Sequence, residues 1–359
     1  MSVDFDLNEE QRSFQAAVEA YLTDACPPQR LLSLFDRPDL IGEIWEGLQA
    51  LGVLGVLVPE EQDGLGLGVL DAAVVTEVLG RFAAPSGFIE HVVGSACLAW
   101  CRDAELKAKW LPRLAGGTWR VTLSFAGEGE DWSPAEWSLS PAKTLSATRR
   151  NVPWPSQMDI MLIGLRGRKL GLIDLAGAGV TVEPMASLDP TRPLATIVLD
   201  EAACTPIDAD DALAWRLFDL WSILLAADAF GGASHCLGTT VAFAGERVQF
   251  GQPIGQFQAV KHQLADLALQ IEPMAGLYWY AAHALDKYLP DSSIAAARAK
   301  AHVTEIYAES VRRSIELHGG IGYTWEFGIH VWLRRAIYDR QYLGTPARHR
   351  ARVADLLGW

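Results

Sequence analysis

Apolar residues recur at helical spacing through the first third of the chain. In "EEQRSFQAAVEAYL", Phe14, Ala17, Val18 and Leu22 fall three or four apart, which predicts an amphipathic helix. "IWEGLQALGVLGVLVPEEQDGLGLG" predicts a helix that runs into a glycine-rich turn. "LDAAVVTEVLGRFA" starts the next helix, and "DAELKAKWLPRLAGG" ends another on glycines. From about residue 118 the pattern changes. "WRVTLSFAG", "MDIMLIGL", "KLGLIDL", "GVTVEPM" and "LATIVLD" are short apolar runs separated by Gly, Pro and Asp, and they predict strands. From about 206 helical spacing returns in three long stretches with short joints. The first, from "ALAWRLFDLW" to "AGERVQF", is long enough for a helix of some thirty residues or more. The pattern predicts an α+β protein with an N-terminal helical domain (1–117), a small middle β-domain (118–205) and a C-terminal antiparallel four-helix bundle (206–359).

Composition narrows the function classes. A chain of 359 residues is too long for one simple core, which fits two or three domains. The net charge of −14 argues against non-specific nucleic-acid binding. The five cysteines, Cys26, Cys97, Cys101, Cys204 and Cys236, show no CxxC and no nearby partner at metal-ligand spacing. They read as thiols in a reducing compartment, and no metal site is expected. The acidic start "MSVDFDLNEEQRSF" lacks the apolar run of a signal peptide. Asp219 and Asp228 interrupt the richest apolar run, so no membrane span is expected and the chain reads as cytoplasmic.

Two C-terminal stretches carry candidate chemistry. In "GERVQFGQPIGQFQAVKHQLAD", Arg247 suits a phosphate and Phe250 suits the face of a flat heterocycle. Gly251 and Gly255 permit a tight turn. The plainer reading is a helix–helix loop with a surface Arg and a buried Phe. In "IELHGGIGYTWEF", Gly319, Gly320 and Gly322 follow a helix, so backbone N–H groups can face a pyrophosphate, or the glycines simply end the helix. His318 reads as a packed or hydrogen-bonded histidine. "GIGYTWE" follows a helix and does not match GxGxxG, which disfavours a Rossmann site.

Taken together, these stretches resemble the acyl-CoA dehydrogenase family of flavoproteins over nearly the whole chain. "GVLGVLVPEEQDGLGLGVLDAAVVTEVLGR" is similar to the family's N-terminal helical domain and "DPTRPLATIVLDE" to the end of its β-domain. "ERVQFGQPIGQFQAVKHQLAD" and "ELHGGIGYTWE" match its C-terminal bundle. The resemblance implies FAD, an acyl-CoA substrate and an electron-transfer flavoprotein as acceptor. It also implies a flavin shared between subunits, with one chain holding the isoalloxazine ring and its neighbour supplying groups around the ADP part. By resemblance Arg247, Phe250, Gln258, Gly319 and Gly320 serve that ADP part. Glu316 stands where the family has Gln, which sets a carboxylate near a pyrophosphate.

The ring side departs from the family pattern. Against Thr-Glu-Pro-Gly-Ala-Gly-Ser-Asp the chain has "SFAGEGED". Ser124, Gly127, Gly129 and Asp131 fit, whereas Phe125 and Glu130 do not. The Trp-Ile-Thr that flanks the flavin is matched at best by Trp154 to Ser156. "QYLGT" aligns with the family's Tyr-Glu-Gly-Thr, whose Glu removes the acyl α-proton. Leu343 occupies the position of that base, with Gly344 and Thr345 following. Some members carry the Glu on the first long helix of the C-terminal domain, at a position that falls near Trp221. Asp219 lies about 200° round a helix from it. Asp228 shares nearly the same face but sits roughly 10 Å along the axis, so neither is a good replacement.

The resemblance therefore implies the base-free partner chain of a heterotetrameric acyl-CoA dehydrogenase, of the kind that degrades steroids or other lipids. The alternatives are a self-sufficient enzyme with a relocated base, and a binding or assembly protein on the same fold. "IHVWLRRAIYDRQYL" is expected to expose Trp332, Ile337 and Tyr342 to a partner, another copy of the chain or a homologous subunit.

Overall fold

The computed structural model describes residues 6–34, 40–126 and 132–359. Gly127, Gly129, Glu130 and Asp131 of the "SFAGEGED" stretch lie outside the described residues. The architecture is α+β. Helices come first, two small sheets occupy the middle, and long helices close the chain.

Among the described residues, six α-helices precede the sheets: α1 (Glu9–Ala25), α2 (Pro28–Ser33), α3 (Leu40–Ala50), α4 (Val69–Arg81), α5 (Phe88–Trp100) and α6 (Ala104–Ala115). A reciprocal cap starts α1. Asn8 Oδ1 accepts from Gln11 N at 2.8 Å, and Gln11 Oε1 accepts from Asn8 N at 3.1 Å. A remote residue helps to start α4: Asp286 accepts from Val69 N at 2.9 Å. That bond ties the N-terminal helices to the C-terminal ones. From Phe88 to Leu98, α5 is buried all round, as a helix between two layers must be.

The strands are β1 (Val121–Ser124), β2 (Thr144–Pro153), β3 (Ile160–Leu165), β4 (Lys169–Asp174), β5 (Val180–Met185), β6 (Leu194–Ala203) and β7 (Thr205–Ile207). One sheet has the order β1-β3-β4-β7, with β1 parallel to β3 and the other pairs antiparallel. The other is antiparallel, in the order β2-β6-β5. Every residue of β3 is buried, which explains its unbroken apolar run "IMLIGL".

The C-terminal region begins with α7 (Asp211–Glu246), a single helix of 36 residues. A short hairpin, β8 (Val248–Gln249) and β9 (Gln252–Pro253), leads into α8 (Gln258–Ile271). Pro273 separates α8 from α9 (Met274–Asp286). A sequence stretch of continuous helical spacing is therefore two helices, because proline cannot supply the next backbone N–H. Then come α10 (Ser292–His318), α11 (His330–Gln341) and α12 (Pro346–Leu357). Helices α7 and α10 run in the same direction. Ser314 Oγ donates to Cys236 O at 3.5 Å, and further on the rings of Phe243 and His318 lie 4.4 Å apart.

The contact between α4 and α7 is close enough to require glycine. A Cβ on Gly80 would lie 2.0 Å from the carbonyl oxygen of Asp228, and one on Gly231 would lie 1.9 Å from that of Glu77. This seats α7 against the N-terminal layer. The expectation that Trp332 and Tyr342 are exposed is corrected here. The Trp332 indole donates to Arg81 O at 3.2 Å, the Tyr342 hydroxyl donates to Asn151 O at 2.9 Å, and both side chains are buried. Each large ring finds its apolar neighbours and its polar partner within the chain. Ile337 does stay partly exposed. Among the described residues, no helix is long and apolar enough to cross a membrane.

Candidate functional site

The residues singled out for the ADP part converge on one end of the bundle, where α7 and α10 both finish. Arg247 ends α7, its N–H donating to Phe243 O at 2.8 Å, and its side chain is exposed. Phe250 and Gly251 form the two-residue turn of the β8–β9 hairpin with φ of 51° and 84°. Both angles are positive, as this tight hairpin turn demands, and the first falls on a residue that pays a steric cost for it. Phe250 is 93% exposed. Gly319, with φ of 64°, and Gly320 follow α10, and an added Cβ would meet nothing within 4 Å at either. Gln258 opens α8 and is exposed. Glu316 pairs with Arg313 at 3.2 Å, so its charge is partly neutralised from its own helix. His318 is buried, hydrogen-bonded through Nδ1 to Ser314 O at 2.7 Å and packed on Phe327, which fits the packed reading.

The residues aligned with the base and the flavin ring lie elsewhere, inside the chain. Leu343 is fully buried with φ of 61°. His349 Nε2 donates to its carbonyl at 3.1 Å, and Lys300 Nζ reaches the carbonyls of Asp339 (2.6 Å) and Gly344 (3.4 Å). Trp221, the other base position, is also fully buried. Packed rings occupy the space around Trp221. Trp221 lies 5.4 Å from Tyr342 and 5.5 Å from Phe125, Phe125 lies 4.8 Å from Trp137, and Tyr342 lies 4.4 Å from Trp132. Ser124 is buried and accepts from Arg149 Nε at 3.0 Å. Trp154 is buried, with its ring 3.3 Å from where a Cβ on Gly87 would stand. Neither is exposed on the surface of this chain to flank a flavin ring. Thr345 caps α12, accepting from Arg348 N at 3.4 Å.

Asp228 is corrected as a candidate base. It is fully buried, and Arg335 grips it with two bonds, Nε to Oδ2 at 2.7 Å and Nη2 to Oδ1 at 2.5 Å. Arg192 adds a third to Oδ1 at 2.9 Å. Burial alone would raise its pKa, but the two guanidiniums outweigh burial and hold it at about 2. A carboxylate held so far below neutrality and occupied on both oxygens is a poor proton acceptor. Asp219 is engaged too, accepting from Arg352 at 2.6 Å and from Ser293 Oγ at 2.5 Å. Glu90, which the sequence reading did not single out, is buried on α5, and burial pushes its carboxyl up.

The two groups of residues are far apart. From Trp221 to Glu246 the single helix α7 advances about 37 Å at its ordinary rise per residue. The exposed residues at the bundle end and the buried base positions therefore lie at opposite parts of one chain. On the outer side of Leu343 a cleft of about 1090 Å³ opens between α7, the start of α10 and α12. Its walls include Trp132, Phe218, Leu285, Leu343 and His349. The ring cluster was missed in the sequence, although the pair Trp132 and Trp137 beside Phe125 was its signal. Arg192 and Arg335 were missed because their partner Asp228 is remote in the chain.

Residues 8–118 match the family model of the acyl-CoA dehydrogenase N-terminal domain, and residues 212–358 match that of the C-terminal domain. The chain is similar to acyl-CoA dehydrogenase IpdE2 of Mycobacterium tuberculosis, 31% identical over 84% of this chain and 83% of that protein. It is 33% identical over 87% of its length to acyl-CoA dehydrogenase FadE34 of the same organism, of which it spans 42%. Among solved structures it is similar to a chain of a Tcur3481-Tcur3483 steroid ACAD variant, with 30% identity, a TM-score of 0.90 and 98% of each chain covered.

Proposed function

We propose that this chain, which belongs to the acyl-CoA dehydrogenase family, is the partner subunit of a heteromeric acyl-CoA dehydrogenase. It completes an FAD site and leaves proton abstraction to a homologous chain. One observation carries this reading. Both base positions, Leu343 and Trp221, are apolar and fully buried, and rings pack around Trp221. A base for the acyl α-proton must be a carboxylate within reach of that proton.

The fit to FAD is divided. The bundle end suits the ADP part: an exposed guanidinium at Arg247, a projecting ring at Phe250, and open backbone at Gly319 and Gly320. Arg247 would bind the diphosphate by charge-assisted hydrogen bonds, and Phe250 would pack on a flat ring. Gln258 would add an amide, while Thr345 serves its own helix. Ser124 and Trp154 do not suit the isoalloxazine part, since both are buried within the chain. When bound, the flavin supplies the two-electron acceptor for α,β-dehydrogenation of an acyl-CoA thioester. The name of the structural relative, a steroid ACAD, supports a ring-bearing acyl group. We place the assembly in the cytoplasm, as a heterotetramer that passes electrons to an electron-transfer flavoprotein.

Expression of the chain alone and with a homologous chain tests the reading. The expected result is a colourless chain alone, and a complex that holds one flavin per pair of chains and oxidises acyl-CoA. A yellow chain that turns over acyl-CoA unaided would overturn it in favour of a relocated base. A colourless chain that no partner activates would favour a binding or assembly role.

A further inference from the structure

Asp339, in the last turn of α11, is a fully buried acid that receives no hydrogen bond. Among the described residues, neither of its carboxyl oxygens has a donor. Cations stand near it but are engaged elsewhere. Arg335, one turn earlier on the same helix face, gives its N–H groups to Asp228, Ala84 O and Thr191 Oγ1. Arg192 gives Nη2 to Asp228, and its buried Nε donates to nothing. Lys300 arrives from α10, yet its Nζ goes to the backbone carbonyls of Asp339 and Gly344 and leaves the carboxyl alone. The hydroxyls of Tyr307 on α10 and Tyr338 on α11 lie near enough to feel the charge of Asp339, but neither donates to it.

What Asp339 does meet is another acid. The Asp228 carboxyl, on α7, lies within hydrogen-bonding reach. Two carboxylates in contact do not both stay charged in a dry interior, and a bond between two carboxyls needs one proton. Asp228 is the ionised member, because three guanidinium bonds meet on its oxygens. Charge balance agrees. Arg192 and Arg335 are matched by Asp228 and by Asp189, which accepts from Thr191 N at 2.9 Å and Thr191 Oγ1 at 2.7 Å. Glu90, which faces Arg192 from α5, also has no donor on either oxygen. Burial, then the Asp228 charge, pushes Asp339 well above the ordinary carboxylate range, against the pull of Arg192 and Arg335.

We propose that Asp339 is a neutral carboxylic acid in the folded chain and donates its proton to Asp228, a latch that holds α11 on α7. The backbone carbonyl of the same residue takes Lys300 from α10, so one residue joins three helices just before the Leu343 loop. When α11 lifts away, Asp339 meets water and ionises, and it must recapture a proton to return. The latch is therefore firm in acid and weakens as pH rises. This goes beyond the partner-subunit reading and is a property of the chain alone. The test uses the purified full chain without partner or flavin, so its outcome is separate from that of the co-expression experiment. Asn offers an uncharged donor in place of the acid and has no proton to lose. Asp339→Asn should fold and should match or exceed wild-type stability in urea at about pH 7, although the site is fully buried. The folded pKa lies above the unfolded one, so wild-type stability falls relative to the variant as pH rises. The wild-type unfolding constant should grow against the variant's by up to about tenfold per unit from about pH 4 to about pH 6, below the range in which Lys300 titrates. Infrared spectroscopy with isotope-labelled aspartate reads the proton directly. Wild type at neutral pH should show the carbonyl band of a protonated aspartic acid, and Asp339→Asn should lose it. A variant that fails to fold or is less stable than wild type at about pH 7 would overturn the proposal. So would a ratio of unfolding constants that does not change with pH, or a protonated-aspartate band that is missing in wild type or unaltered in the variant.

Discussion

Replacing Asp228 with Asn tests whether this acid is a strut or a base. Three charge-assisted hydrogen bonds meet on its two oxygens, two from Arg335 and one from Arg192, and all three side chains are buried. Arg335 also reaches Ala84 O at 3.2 Å and Thr191 Oγ1 at 3.1 Å. The cluster therefore pins together the N-terminal layer, the loop before β6, α7 and α11. Asn keeps the shape and removes the charge, leaving two guanidiniums buried without a counter-charge at their centre. Each bond to a charged group contributes about 1.5–3 kcal/mol, but the three share one carboxylate and do not add. Breaking a buried pair by removing one partner costs about 3–5 kcal/mol, and Asp228→Asn should fall in that range. Urea unfolding followed by tryptophan fluorescence measures it. A loss below about 1 kcal/mol, the level of an exposed pair, would refute the strut. So would intact stability with abolished turnover in the assembled enzyme. The pH dependence has a definite sign. The folded pKa lies below the unfolded one, so this stability is present above about pH 4 and is lost as pH falls toward about 2.

Three further outcomes are expected. Leu343→Glu should not make the isolated chain an acyl-CoA oxidase in an acceptor-dye assay, because Ser124 and Trp154 are buried and leave the flavin-ring side unsupplied; strong turnover would remove the basis for the partner-subunit reading. Arg247→Ala should lower flavin affinity in the complex by about 1.5–3 kcal/mol, seen as lost flavin on gel filtration, and unchanged retention would make Arg247 only structural. Lys300 is fully buried and its pKa is pushed down to about 7, by burial above all. From about pH 7 to about 10.5 the unfolded chain then binds a proton that the folded chain does not, so stability rises with pH over that window by up to about 1.4 kcal/mol per unit. Lys300→Met should flatten that rise in urea melts at stepped pH, and an unchanged slope would contradict it.

Local patterns carried much of the fold. Helical spacing announced the 36 residues of α7, and the short apolar runs announced β1, β3, β4, β5 and β6. Arg247, Phe250, Gly319 and Gly320 were legible because turn chemistry is written in adjacent residues. Long-range partners were not. Nothing near Asp228 in the sequence reveals Arg335, which is 107 residues away. Its presence in an apolar helix signalled only that some buried cation must meet it. Trp332 and Tyr342 were read as exposed from the richness of their helix, but exposure depends on what packs across, and Arg81 and Asn151 are far off in sequence. Pro273 was in plain view, yet the spacing on both sides hid the break it makes between α8 and α9.

The loop at Leu343 keeps a demanding shape without a proton to move, and packing supplies the reason. Leu343 holds a left-handed backbone that costs a non-glycine residue roughly 1–2 kcal/mol. Its carbonyl and that of Gly344 are both met from within, by His349 and Lys300, and the Tyr342 hydroxyl fastens the loop to β2 through Asn151. At Trp221, the other base position, Phe125 and Tyr342 pack directly and are backed by Trp137 and Trp132. Neither base position therefore carries the desolvated charge that a catalytic site must maintain. What the chain then presents outward is the far end of α7, about 37 Å away, where a projecting Phe250 and an open pair of glycines have little to pack against in their own chain. Stability has been gathered at one end of the helix, and exposed binding groups at the other.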